Sequence, residues 1–299
     1  MDIKKVDIKV EVRDRNIWQL VPEDLKLEQV ATGFGFTEGP VWCRDYLLFS
    51  DIPQNRIHLW RMSSHGPEVT IFRTPSGNSN GLTRDRSGRL IACEHSNRRV
   101  TRTETDDSVS VLAERYQGQR LNSPNDVVVR SDGSIYFTDP PYGLENHNAV
   151  KEVPFNGVYC IKPDGKLVLL ADDFDRPNGL AFSPDETVLY IDDSTRNHIR
   201  AFDVDRDGNL SNGRIFLDIT SPEEGVPDGM KIDRQGNLYC TGPGGIWVSD
   251  PGGKCLGRIV LPEIPANLAW GDSDWKTLYI TARSSVYRLR LAVSGIPVA

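Results

Sequence analysis

Short apolar runs alternate along the chain with tight clusters of Asp, Gly, Asn and Ser. Runs of that length between turn formers predict β-strands, and pairs of runs joined by turns such as Arg86-Ser87-Gly88 or Asp132-Gly133 predict hairpins. One unit recurs six times. A polar residue opens it, a small residue or an apolar run follows, a turn intervenes, and a second apolar run ends on a polar or small residue 13–15 positions after the opener. Glu38-Gly39-Pro40-Val41-Trp42 leads to Leu47-Leu48-Phe49-Ser50-Asp51, and Asn80-Gly81-Leu82 to Leu90-Ile91-Ala92-Cys93-Glu94. Asn125-Asp126-Val127-Val128-Val129 leads to Ile135-Tyr136-Phe137-Thr138-Asp139, and Asn178-Gly179-Leu180-Ala181-Phe182 to Leu189-Tyr190-Ile191-Asp192-Asp193. Asp228-Gly229-Met230-Lys231-Ile232 leads to Leu238-Tyr239-Cys240-Thr241-Gly242, and Asn267-Leu268-Ala269-Trp270 to Leu278-Tyr279-Ile280-Thr281-Ala282.

The openers are 42, 45, 53, 50 and 39 residues apart. A strand-rich period of that size reads as one four-stranded propeller blade, so the chain is expected to be an all-β, six-bladed β-propeller. Blades start near 36, 79, 124, 177, 227 and 265. After Asn267 only three strands fit, at 267–271, 277–282 and 285–291, so the fourth is expected from the N-terminal run Leu27-Glu28-Gln29-Val30-Ala31, closing the ring. Residues 1–25 would be an arm packed outside, and residues 1–299 a single domain.

Composition supports this picture. Gly (26) and Pro (19) are abundant, which suits many turns and disfavours long helices. The five Cys, mostly inside strand-like runs, are expected to be buried free thiols in a reducing compartment. A start without an apolar signal region and the lack of a run near 20 apolar residues predict a cytoplasmic protein with no membrane span. The net charge of −7 makes nucleic acid an unlikely partner.

In a propeller the first strand of each blade lines the central channel. The openers Glu38, Asn80, Asn125, Asn178, Asp228 and Asn267 should therefore meet at one mouth. The second strand returns to the same face, bringing Asp51, Glu94, His95, Asp139, Asp192 and Asp193 to its rim. The loop 140–156, with Tyr142 and His147, lies there too. Asn-Gly and Asp-Gly are ordinary turn dipeptides, so the openers could express turn geometry alone. Glu at the first position is not a turn requirement, however. Two carboxylates in a ring of amides suit a hard divalent cation, Ca²⁺ ahead of Mg²⁺ or Mn²⁺, with Zn²⁺ the least suited. The five His show no metal-ligand spacing. Asp203-Val204-Asp205-Arg206-Asp207-Gly208 opens like a calcium loop, but Arg214 stands where a bidentate Glu is needed, so a plain turn is expected.

The segments Phe36-Thr37-Glu38-Gly39-Pro40-Val41-Trp42, Asn122-Ser123-Pro124-Asn125-Asp126-Val127, Thr138-Asp139-Pro140-Pro141-Tyr142-Gly143, Arg176-Pro177-Asn178-Gly179-Leu180 and Pro227-Asp228-Gly229-Met230 resemble the gluconolactonase branch of the senescence marker protein (regucalcin), gluconolactonase and luciferin-regenerating enzyme family. The resemblance implies a six-bladed propeller with a divalent metal on Glu38, Asn125, Asn178 and Asp228. It also implies lactone hydrolysis with Asp228 as base, and a substrate-binding Arg before the third-blade Asn, for which Arg120 and the neighbouring Asn122 are the candidates.

The residues themselves suit that chemistry. A divalent ion can polarise a lactone carbonyl and take up oxyanion charge. Asp228 would accept a proton from the attacking water, or would itself attack as nucleophile. Asn80, Asn122 and His95 would meet sugar hydroxyls, with Asp139 and Tyr142 shaping the rim. Two alternatives stay open: hydrolysis of phosphotriesters or non-sugar lactones at the same ring, and a calcium-binding propeller without catalysis.

Overall fold

The structure, a computed structural model, describes residues 3–298. Six antiparallel sheets stand in a ring. From the channel outward, the first is Thr37–Cys43, Tyr46–Asp51, Arg56–Ser63 and Gly66–Arg73; the second is Ser79–Arg84, Leu90–Glu94, Arg99–Thr103 and Val109–Ala113. The third runs Val127–Val129, Ile135–Asp139, Asn156–Ile161 and Leu167–Phe174; the fourth runs Pro177–Phe182, Val188–Asp193, His198–Val204 and Leu210–Asp218. The fifth begins with Met230–Ile232, Leu238–Gly242, Gly245–Ser249 and Cys255–Val260. Pro265–Gly271, Thr277–Ala282 and Ser285–Arg290 supply the sixth, and Leu27–Thr32 closes it, pairing Ser285 with Thr32 and Leu289 with Leu27.

The arm departs from expectation. It forms two more strands rather than only packing outside. Lys4–Val6 pairs with Leu27–Thr32, and Lys9–Val12 pairs with Cys255–Val260, so the last two blades have five strands each. An outermost strand leaves a row of N–H and C=O groups unpaired, and the arm satisfies that row beside the closing seam. Arg258 adds side-chain bonds, donating to Glu11 of the arm and to Glu223.

Between neighbouring blades the alternate apolar residues interdigitate. Trp42 stacks on Tyr279 at 5.1 Å between the first and sixth blades, with Phe49 and Trp60 in the same cluster. This packing holds the six inner strands rigidly around the channel. All five cysteines are free, and only Cys255 is not fully buried. The Asp203–Gly208 stretch is the turn between the two outer strands of the fourth blade, where Asp205 accepts from the Asn209 amide at 2.8 Å. Among the described residues no helix is long and apolar enough to cross a membrane.

Candidate metal centre and active site

Three devices bring the openers to one mouth. The first is a carboxylate at the end of the second strand. Asp51 accepts from the amides of Gly35 (3.0 Å) and Phe36 (3.3 Å), and Asp193 from those of Asp175 (2.7 Å) and Arg176 (3.2 Å). Asp139 accepts from the Asn122 amide at 2.7 Å, and the Ser123 amide favours its charged form without bonding Oδ1. In each case the clamped amides lie three and two residues before an opener: Glu38, Asn178 and Asn125.

The second device is a bulge. The ladder between first and second strands shifts register between Glu38 and Val41, Ser79 and Leu82, Pro177 and Leu180, and Pro265 and Asn267. In the third and fifth blades the ladder starts only at Val127 and Met230, two residues past the opener. A bulge re-aims the side chains at its centre, which applies to Asn80 and Asn178, whereas Glu38 and Asn267 flank theirs and stay paired with Ser50 and Thr281.

The third is glycine. A Cβ on Gly39 would lie 2.0 Å from the Asn80 carbonyl oxygen, one on Gly179 2.0 Å from that of Asp228, and one on Gly229 2.0 Å from the Asn267 side chain. The Asn-Gly and Asp-Gly pairs are thus places where one blade admits the next blade's opener, which the turn explanation does not capture.

The result is a buried polar ring. Asn80 Nδ2 donates to Asn125 Oδ1 (2.6 Å), and Asn125 Nδ2 donates to Asn178 Oδ1. Asn178 donates to Ser194 Oγ (3.0 Å), and its amide also acts on Asp228. Asn267 Nδ2 donates to Glu38 Oε2 at 3.0 Å. Glu38 is 2% exposed, yet its Oε1 has no partner, and Asn80 Oδ1 has none either. Burial, then the charge of Asp126, push the Glu38 carboxyl up to about 7. Burial and the charges of Glu38, Asp192 and Asp126 push Asp228 well above the carboxylate range.

A buried site crowded with acids and free oxygens is costly unless a cation enters it. Among the described residues no group of three or more His, Cys, Asp or Glu could hold a metal by itself. A cation held here would draw on amide oxygens as well as on Glu38 and Asp228, a donor set that suits a hard cation.

The remaining expected residues fall into two groups. His95 belongs to the ring: its Nε2 lies 3.3 Å from Asn80 Nδ2 and 3.2 Å from Asn125 Oδ1. Burial pushes its pKa down to about 4, so the imidazole is neutral at pH 7. Tyr142 begins the short helix Tyr142–Asn146 over the mouth, where burial and the Asp228 charge push its phenol up. Arg176 pins this helix, lying 5.2 Å from the Tyr142 ring centroid and bonding both Glu145 oxygens (2.7 and 3.2 Å).

The other three, expected at the substrate, make contacts with the scaffold. Asp139 is a clamp. Asn122 Nδ2 bonds Asp139 O (3.0 Å), Phe155 O (2.9 Å) and Asn156 Oδ1 (3.3 Å), which anchors the loop. Arg120 donates to the Asn97 carbonyl (2.9 Å), and Glu152 accepts from its amide. The arginine that orders this lead-in is buried Arg98, donating to the carbonyls of Leu121 (2.7 Å) and Asn122 (3.1 Å).

Residues 36–284 match the model of the SMP-30/Gluconolactonase/LRE-like region. The chain belongs to that family. A gluconolactonase from Zymomonas mobilis is 38% identical over 297 residues, covering 90% of this chain and 82% of that protein. Regucalcin from Bos taurus is 31% identical, with 82% of each chain covered. A solved gluconolactonase from Xanthomonas campestris superposes with a TM-score of 0.89 at 35% identity, covering 97% of this chain and 98% of that one. The family's propeller is thus the fold seen here.

Asp126 is the site residue that sequence reasoning missed. It follows Asn125, where four of the other five openers are followed by Gly and one by Leu268. A charged residue at that packed position was the available signal.

Proposed function

We propose that the protein hydrolyses a sugar lactone, using one divalent cation held by Glu38, Asn125, Asn178 and Asp228. The lactonase assignment rests on similarity to the Zymomonas and Xanthomonas gluconolactonases over nearly the whole chain. The observation that carries the site is the pair Glu38, fully buried with an unpartnered oxygen, and Asp228, half-buried beside it, the first raised by burial and Asp126, the second by burial and Glu38. The hard, oxygen-only donor set favours Ca²⁺.

When bound, such a cation would polarise the lactone carbonyl and stabilise negative charge on its oxygen. The protein's own residues do the rest. Asp228 stands on the wall of a groove lined by Phe36, Val226, Ile264, Pro265 and Arg283, where solvent and substrate enter. Its carboxylate takes the proton of the attacking water and returns it to the ring oxygen as the C–O bond breaks. Neutral His95 and Asn80 offer polar edges to sugar hydroxyls. Tyr142, held by Arg176, covers the mouth and limits water.

A panel of glucono-1,5-lactone, an aliphatic lactone and a phosphotriester tests this reading. Hydrolysis of the sugar lactone at least about tenfold faster than the others is expected. A protein that hydrolyses none of them, or prefers the phosphotriester, overturns it.

A further inference from the structure

Beyond the ring, the channel runs on to a second cavity at the C-terminal ends of the inner strands. Val127, Val128, Val129, Lys231, Ile296 and Val298 are among the residues that line it. One charged side chain reaches from this end towards the ring. Lys231 Nζ bonds the Met230 carbonyl (2.9 Å) and Asn267 Oδ1 (3.4 Å). Asn267 in turn donates to Glu38 Oε2, so one amide connects the ammonium to the ring. Asp126 is only 4% exposed; its Oδ1 accepts from the Val127 amide at 2.9 Å, the Asn267 side chain and the Leu180 amide also favour its charged form, and its Oδ2 makes no direct hydrogen bond. A Cβ on Gly81 would lie 2.8 Å from Asp126 Oδ1, so that glycine makes room for the carboxylate. The charge of Lys231 acts on both Asp126 and Glu38.

We infer that Lys231 is a tethered cation: its ammonium supplies, at the level of Asp126, the positive charge that a second metal ion would otherwise supply, and so restricts the channel to one divalent ion in the ring above. The inference rests on the metal reading of that ring. Four acids, Glu38, Asp126, Asp192 and Asp228, influence one another in the channel. One divalent ion offsets two of these charges, and an ammonium on a flexible stem offsets a third without needing a full coordination shell. Lys231 is a positioning residue, acting on the ring through Asn267 and through its field.

The test is calorimetric titration of CaCl2 into the chelator-treated full chain. The unmodified protein and Lys231→Arg are expected to bind one Ca²⁺. Lys231→Met is expected to bind a second, because Asp126 and its unpartnered Oδ2 lose their counter-charge. Asp126→Asn leaves the ammonium uncompensated and should weaken the single Ca²⁺ roughly tenfold. This second variant decides the matter if Lys231→Met does not fold. One Ca²⁺ in folded Lys231→Met, or an unchanged affinity in Asp126→Asn, overturns the inference while leaving the ring intact. No binding by the unmodified protein overturns the metal reading itself.

Discussion

Carboxylates of two kinds gather at the same end of this propeller. Asp51 and Asp193 terminate second strands and use both oxygens to hold backbone amides that lead into the openers. Glu38 and Asp228, a few ångströms of chain further on, stand among other acids; Glu38 has an unpartnered oxygen and Asp228 the strongest company of like charge. Residue type does not separate the two sets, and burial does not separate Glu38 from the clamps, although Asp228 is only half-buried. Satisfaction does: Asp51 and Asp193 are bonded through both oxygens by groups the fold supplies, whereas Glu38 keeps an oxygen the fold leaves unpartnered. Unsatisfied buried charge is destabilising, so its persistence marks function more reliably than acidity alone.

Breaking the ring and breaking the clamps should therefore give opposite signatures. The largest effect is expected from Asp228→Ala: kcat/KM on glucono-1,5-lactone should fall by about 10³-fold or more, with the thermal midpoint unchanged or raised as like-charge repulsion is relieved. Glu38→Gln comes next. It keeps the shape but removes a ring charge, and calorimetry should show Ca²⁺ binding weakened by roughly 100-fold. Asp193→Ala should reverse the pattern, losing about 1–3 kcal/mol of folding stability in urea titrations as its amides are orphaned. Activity per folded molecule should change only a few-fold.

Asp139 sharpens the comparison because it is an incomplete clamp, with Oδ1 unpartnered. Burial, outweighing the Asn122 and Ser123 amides, pushes its carboxyl from 3.8 up to about 7. Between those values the folded chain holds a proton that the unfolded chain releases, so this contribution to stability is lost as pH rises through the window. Between pH 5 and 8 the unmodified protein should lose roughly 2 kcal/mol more stability than Asp139→Asn, which cannot titrate. Equal slopes in urea titrations would remove Asp139 as the source.

Much of this was legible in the sequence because a propeller writes each blade again. Strand, turn and strand recur with one polar opener, and alignment of the copies alone predicts which six residues meet. The closing strand was also visible, since the sixth blade lacks a partner for Ser285–Arg290. The arm's strands were not: Lys4–Val6 and Lys9–Val12 are short and charged, and their pairing is decided by the blade edges they cover. Nor could the sequence divide the acids. Asp51, Asp139 and Asp193 look like rim residues until the amides that engage them are seen. Asn122 and Arg120 sit close to Asn125 along the chain, but Arg98 and the 140–156 loop hold that segment against the scaffold. The repeat does not set Lys231 apart; the inner strand of a propeller has no solvent face, only a channel.

The proposed role of the ring acids, Glu38 with its unpartnered oxygen and Asp228 beside it, is to hold a catalytic cation. Its most direct test is the rate of glucono-1,5-lactone hydrolysis by chelator-treated protein before and after CaCl2 is restored. Activity should fall to the uncatalysed background and return with about one equivalent of Ca²⁺ per chain. Full activity in protein shown by elemental analysis to be free of divalent metal would contradict it.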